Sequence, residues 1–434
     1  VASGPDGREV FATRDLRPGE TVLQSTPFAF ALASEFKVER CHHCFRKPRQ
    51  GTALKRCSRC KWARYDSVDC QKLAWSSFHS TECKVVPSIE HLEAQSRPAA
   101  DDAILLLRAL IRRSKEQGSS SEGHWNQVEA MIGHQEGLRD LDPVRFEQNR
   151  VLASFVSDLL ARAVPTVRLD EGTALRLLCA FGCNNFSIWD GLLLPIGHAV
   201  YPKGALLNHS CEPNCVLVYH EGTLSQEIRT IRPVSEGQAL THAYIDLYQT
   251  SSDRACHLRE QYFFNCACLR CSRPERLDSM LTSSDLSLSA QAAAELDQAE
   301  GEFQRASELT EAPELDPECL PMLVNVFHVR RKWLHPTDTR VVSSASLLRR
   351  TALELGECDK GVEPGRLLVD AYRQIYPGQH PMVGLALYTL GSLLGDTEPT
   401  MAAEVLEESE QVLSVCHGPE HPVVVGLRAL RAAA

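Results

Sequence analysis

No run of apolar residues in this 434-residue chain comes near the roughly 20 that span a bilayer, and no secretory leader is visible. A soluble intracellular protein is therefore expected. The chain begins with Val1 rather than Met, so a trimmed native start is expected as well. A disulfide framework also lacks its usual setting, a small secreted domain. Among the seventeen cysteines of this long chain are pairs with two residues between them, and that pattern favours metal. Net positive charge is absent too: 46 Lys and Arg stand against 56 Asp and Glu, a formal charge of -10.

That total hides an asymmetry. Residues 35–84 hold 12 basic against 5 acidic side chains, whereas residues 275–434 hold 13 against 25, so a basic module and an acidic one share the chain. With 43% hydrophobic and 24% charged residues the composition is globular. The length calls for two to four domains of roughly 100–200 residues. "LRPGETVLQSTPFAFAL" (16–32), a Pro-Gly turn followed by β-branched and aromatic residues, predicts a strand pair. Apolar residues at helical spacing predict helices within 101–115, 143–164 and 171–181, and short β-type runs separated by turns fill 183–250. Beyond about 276 the chain is Ala-, Leu- and Glu-rich. There "GQHP" and "GPEHP" each precede an apolar helix, with His380 and His421 separated by 41 residues, a spacing similar to degenerate tetratricopeptide (TPR) repeats.

Between 41 and 83, Cys41-x2-Cys44, Cys57-x2-Cys60, Cys70, His79 and Cys83 supply seven zinc-type donors, one short of two closed tetrahedral sites. Asp66 offers a harder oxygen donor. Further along, "NHSCEPNC" (208–215) sits between apolar flanks. A buried amide or imidazole must find a partner, a metal or a ligand, so this segment reads as a site.

The first stretch resembles a MYND finger, "YDSVDCQKLAWSSFH" matching that family's Tyr-Cys-x3-Cys-Gln-x3-Trp segment. The resemblance implies one zinc on Cys41, Cys44, Asp66 and Cys70 and another on Cys57, Cys60, His79 and Cys83. Asp66 stands where the family has Cys, and His79 lies one residue later than usual. His42 and His43 are left over and are expected at the surface. "NHSCEPNC", "THAYIDL" (241–247) and "REQYFFNCACLRC" (259–271) match SET-domain methyltransferases in order and spacing. With the finger, the chain is identified as a member of the SMYD family of SET- and MYND-domain protein lysine methyltransferases. Cys211 then completes a third zinc site with Cys266, Cys268 and Cys271, while Cys215 and Cys179 are expected as core thiols.

What the resemblance implies for fold is an α+β multidomain protein: the N-terminal part of a SET domain (1–40), the finger (41–83), a helical insertion (84–182), a β-rich SET core (183–250), a post-SET zinc site (251–275) and an all-α TPR-like domain (276–434). For activity it implies methyl transfer from S-adenosylmethionine to lysine of histone or other proteins, with S-adenosylhomocysteine as product. Tyr244 is then catalytic, with Phe186 and Tyr262 walling the lysine channel. Cofactor contacts fall on Gly7, Arg8, Glu129, Cys183, Asn184, Leu206, Asn208, His209, Tyr244, Tyr262 and Phe264, with Trp125 beside Glu129. Where many members read Gly-x-Gly, this chain reads Gly7-Arg8-Glu9. Expected partners are protein substrates, Pro-rich peptides or chaperones at the finger and tail, and weak nucleic-acid contact through Arg46, Lys47, Arg49, Lys55, Arg56, Arg59, Lys61 and Arg64. No membrane is expected, and the chain is expected to act as a monomer in cytoplasm and nucleus. The acidic tail is expected to present an acidic wall to the substrate. A competing expectation is a catalytically weak adaptor with the SET core as scaffold.

Overall fold

A computed structural model describes residues 2–4, 7–116, 122–167, 169–273, 288–311, 315–395 and 397–433. The boundary expected at 275/276 lies outside the described residues. Among the described residues, twelve short strands make five small sheets. β1 (Ala2–Gly4) pairs with β2 (Gly7–Glu9), and β3 (Thr21–Ser25) and β4 (Ala29–Leu32) follow. β5 (Lys55–Arg56) pairs with β6 (Arg64–Tyr65) in the cysteine-rich stretch. β7 (Asn185–Trp189) and β8 (Pro195–Val200) form a hairpin, β9 (Asn208–His209) is a dipeptide, and β10 (Cys215–His220) pairs with β11 (Ser225–Thr230). β12 is Thr241–His242.

The segment 16–32 does form two strands, but they do not pair with each other. β3 lies against β11 and β4 against β8, because the chain turns at Pro27 and Phe28 already donates its amide to Val200 O (2.8 Å). Val22 and Leu23 of β3 pack on the cluster of Leu16 and Val234, whereas Ala29 and Ala31 of β4 are buried in the core of the long helix Arg97–Glu116, so pairing is decided by the core each strand enters rather than by proximity in sequence.

The predicted helices form at Arg97–Glu116, Pro143–Ala163 and Glu171–Asn184. Asp142 and Asp170 cap the last two, their carboxylates accepting backbone amides that the first turn leaves free. Arg97–Glu116 is the axis of the largest core. Ile104 to Leu107 and Leu110 are buried against Phe28 and Ala29 on one side and against the cysteine-rich stretch on the other. From Ala290 to Ala433 every regular element among the described residues is a helix, and successive helices pack on one another. This helical part meets the β-rich part through Arg229, whose Nε donates to Val415 O (3.1 Å), and through Gln379, whose amide donates to Ile231 O (3.0 Å). No helix among the described residues is long and apolar enough to cross a membrane.

Candidate active site and metal centres

Three donor clusters close in space: Cys57, Cys60, His79 and Cys83; Cys41, Cys44, Asp66 and Cys70; and Cys211, Cys266, Cys268 and Cys271. Within each, the donor atoms lie within 4.8 Å of one another. All seventeen cysteines are free thiols. Four thiol, imidazole or carboxylate donors at that spacing suit a tetrahedral ion with bonds of about 2.3 Å to sulfur, and zinc is the common metal for such sets. Local structure presents them. Ser67 Oγ accepts the Cys70 amide (3.1 Å), starting the helix Val68–Ala74 so that Cys70 sits in its first turn beside Asp66.

The His79 cluster has a support the sequence did not reveal. His79 Nδ1 is 2.8 Å from Glu82 Oε2, and Glu82 Oε1 accepts from Arg108 Nε (2.8 Å) on the long axial helix, with the Arg108 guanidinium 3.9 Å over the Phe78 ring. A carboxylate on the outer nitrogen fixes the ring with Nε2 toward the thiols. In the other finger cluster, Asp66 Oδ2 lies 3.5 Å from Cys44 Sγ while Oδ1 is buried without a hydrogen-bond partner, as an oxygen left to a metal would be. His42, expected at the surface, is 2% exposed. Its Nε2 lies 3.2 Å from Lys37 O and its ring meets Trp62 edge-on at 4.8 Å, and burial drives its pKa down to about 3. An imidazole held neutral is a packing residue there. His43 is half-buried. Cys179 and Cys215 are buried thiols.

β9 and β12 run parallel, Asn208 beside Thr241 and His209 beside His242, so two distant dipeptides cross. Asn214, which sequence reasoning left without a role, holds the crossing: Nδ2 donates to Ala239 O (2.8 Å) and Oδ1 accepts the Thr241 amide (2.9 Å). Its place inside "NHSCEPNC" was the available signal. Tyr244 follows directly. Its amide donates to His209 Nδ1 (3.0 Å), its hydroxyl donates to Leu207 O (2.8 Å), and its carbonyl accepts from the Tyr262 hydroxyl (3.1 Å). Tyr262 ends the helix Ser251–Tyr262, which stops because Phe263 turns left-handed (φ 62°). Phe264 then lies 6.0 Å from the His209 ring.

Tyr244, Tyr262, Phe186, Cys183 and Asn184 line one cleft of about 540 Å³. Burial raises the pKa of Tyr244, with Tyr262 adding to the rise, and Tyr262 is pushed up to about 12 by burial and then by Cys183. Both therefore present neutral hydroxyls. Burial also takes His209 down to about 3 and His242 to about 4, so neither imidazole is charged at neutral pH. Arg8 and Leu206 line a neighbouring cleft of about 400 Å³, and Arg8 Nη2 donates to Ala130 O (3.2 Å). Gly7 pairs with Gly4 in the strand that carries Arg8, and Glu9 is placed opposite Ala2. Glu129 turns its carboxylate to Arg176 (3.6 Å), and Trp125 is a core residue stacked under Arg113 (4.5 Å).

Several groups could meet a ligand. Asn208 Nδ2 is buried with no hydrogen-bond partner, a donor aimed at something the protein does not supply. Asn184 Nδ2 donates to Ile132 O and Ala180 O (2.8 Å each), so the carbonyl oxygen is what it offers. The helical tail closes the cleft with Tyr376, His380, Pro381 and Met382, and the one carboxylate in the lining, Asp246, comes from the β-rich side. Among the described residues the tail contributes no carboxylate to this lining, and many tail carboxylates pair within the tail, as in Glu398 with Arg366 and Glu408 with Arg373.

A SET-domain family model matches residues 7–245. Over nearly its whole length the chain is similar to histone-lysine N-methyltransferase SMYD3 of Mus musculus, 28% identical across 97% of this chain and 94% of the relative. It is similar to N-lysine methyltransferase SMYD2-B of Xenopus laevis, 27% identical across 97% and 95%. It is also similar to histone-lysine N-methyltransferase ASHR1 of Arabidopsis thaliana, 26% identical across 98% and 92%.

Proposed function

The chain belongs to the SET-domain family, and within it to the SMYD group; from that premise we propose that it is a protein-lysine N-methyltransferase using S-adenosylmethionine. The observation that carries the proposal is the convergence of Tyr244, Tyr262 and Phe186 on one cleft with Cys183 and Asn184, beside the partnerless amide of Asn208.

S-adenosylmethionine supplies a methyl carbon made electrophilic by its sulfonium. Asn208 through its free amide, Asn184 through its carbonyl oxygen, and Cys183, His209, Tyr262 and Phe264 around them are the residues proposed to hold it, with Gly7, Arg8, Leu206 and the Glu129 segment proposed as further contacts. The target lysine enters between Phe186, Tyr244 and Tyr262. A free lysine has a pKa near 10.4, and an aromatic channel facing a sulfonium disfavours the ammonium form, so the amine sheds its proton toward solvent before transfer. The Tyr244 hydroxyl donates to Leu207 O, leaving its lone pairs to accept from the amine and aim the nitrogen at the methyl carbon. These residues would thus hold the amine lone pair toward a methyl carbon whose bonding electrons would stay with sulfur on transfer. Tyr244 does not act as the base, since burial holds its proton on.

Zinc at the Cys211 cluster would fix the segment that carries Phe264, and the two finger ions would hold the finger against the axial helix. Histone or other protein substrates, peptide or chaperone partners at finger and tail, monomeric action, and a place in cytoplasm and nucleus follow from the resemblance alone. The test is transfer of labelled methyl to lysine in mixed histones or a cell lysate. Incorporation above that of a Tyr244→Phe control is expected; none in the wild type would sink the proposal and leave the docking role.

A further inference from the structure

The loop between β7 and β8 touches three parts of the molecule within five residues. Trp189 and Leu193, at its two ends, line the cleft opposite His380, Pro381 and Met382. Trp189 is 39% exposed, so it presents a free face at the cleft mouth. Asp190 shapes the loop: its Oδ1 accepts the amides of Leu192 (3.1 Å) and Leu194 (3.0 Å), while its own amide donates to Leu194 O (2.9 Å). These bonds hold Leu193 in the left-handed region at φ 62°, which a β-carbon normally disfavours.

The other oxygen of Asp190 leaves the loop. Oδ2 accepts from Arg40 Nη2 (2.9 Å), and Arg40, 3% exposed, immediately precedes the first metal-cluster cysteine. Arg40 also donates to Phe45 O (3.0 Å) and to Glu221 Oε1 (3.2 Å), so the guanidinium is fixed to the finger. Gly191 at the loop tip faces the tail. A β-carbon there would stand 2.4 Å from Val423 Cγ2 and 3.2 Å from His421 Cε1, so the backbone approaches the last helix more closely than another residue allows.

We propose that Asp190 is a positioning residue for the protein substrate: it sets Trp189 and Leu193 as the mouth of the lysine cleft and anchors that mouth to the finger through Arg40 and to the tail beside Gly191. The inference rests on the methyltransferase reading and adds to it a route by which finger and tail act on substrate binding rather than on the methyl-transfer step. A part-buried Asp–Arg contact suits this task because Arg40 is already held through Nη1 by Phe45 O and Glu221, and because the loop's amides use the oxygen the contact leaves free.

The experiment uses the full zinc-loaded chain and a protein substrate that the wild type methylates. Asp190→Asn is expected to raise KM for that substrate about 5-fold, the order of one lost hydrogen bond, with kcat, cofactor affinity and zinc content within twofold of wild type. Trp189→Ala should raise KM in the same sense. The double variant should be no worse than Trp189→Ala alone, because Asp190 acts through Trp189. An unchanged KM, additive effects in the double variant, or a parallel fall in cofactor affinity would each overturn the inference. If Asp190→Asn does not fold, Arg40→Lys, which keeps the charge but loses the fork, takes its place with the same expected split. A wild type that transfers no methyl at all brings down the methyltransferase reading itself, an outcome visible before any variant is made.

Discussion

On the SET side of the cleft Tyr244 is held at amide, hydroxyl and carbonyl by His209, Leu207 and Tyr262. On the tail side Tyr376 reaches across with its hydroxyl alone, donating to Asp246 Oδ1 (2.8 Å), and His380 stacks on its ring at 4.5 Å. The first wall is fixed by backbone groups of crossing strands and by a segment tied to four cysteines. The second is the start of a helix laid against the first. Groups that must aim a nucleophile need the stiffer mounting, since a misplacement of about 1 Å can cost on the order of 100-fold in rate. A wall that sorts substrates can be softer.

The comparison breaks if the walls respond alike to mutation. Tyr244→Phe, which removes only the hydroxyl, should lower kcat on the order of 100-fold while cofactor affinity stays within a few-fold, measured by steady-state kinetics beside calorimetry. An equal loss of cofactor affinity would make Tyr244 a binding residue. Next in size is metal removal. Elemental analysis should give three zinc ions per chain, and Cys268→Ala should lower this to two while weakening cofactor binding through Tyr262 and Phe264. Under a chelator the Asp66 cluster should empty before the His79 cluster, because it has an oxygen in place of a softer donor and nothing equivalent to the Glu82–Arg108 brace among the contacts described. Release in the opposite order would show that the brace does not govern retention.

On the tail wall, Tyr376→Phe should raise KM for protein about 5-fold, as one hydrogen bond is lost, and leave kcat alone. A fall in kcat matching that of Tyr244→Phe would erase the distinction between the walls. The smallest effect concerns pH. Burial, with His417 adding to it, lowers the His380 pKa to about 3, below its value of about 6.5 in an unfolded chain. An unfolded chain therefore binds a proton that the folded one refuses. Stability is whole above about pH 6.5 and declines as pH falls toward 3. His380 Nδ1 also accepts the Met382 amide (3.2 Å), so His380→Asn keeps a capping acceptor. A melting-temperature profile from pH 7.5 to 4.5 should be flatter in that variant; parallel profiles would count against His380 as the source of the slope.

Much of the chemistry was legible because it is local. Two thiols with two residues between them are presented by a single turn, so Cys41/Cys44 and Cys57/Cys60 announce a metal from spacing alone, and helix period marked 101–115 and 171–181 within the longer helices Arg97–Glu116 and Glu171–Asn184. The supports were not legible. Glu82 and Arg108 are 26 residues apart and Arg40 and Asp190 are 150 apart; each is an ordinary charged residue in sequence, and nothing in its neighbours indicates that it is buried. His42 was misplaced for the same reason: a histidine beside a ligand cysteine carries no sign of the Trp62 face that covers it.

Sequence by itself marked the paired cysteines as metal donors and the 208–215 segment as a site, since both depend on residue type at short spacing. Tertiary structure decided the rest: which strands pair, what braces each cluster, and what faces the substrate. The acidity of the tail was plain in composition. Yet Glu398 and Glu408 are held by arginines of the tail itself, while Tyr376, His380 and Met382 are turned to the cleft. Charge is a property of a segment, but the face a helix presents follows from how its apolar side packs against elements far away in the chain.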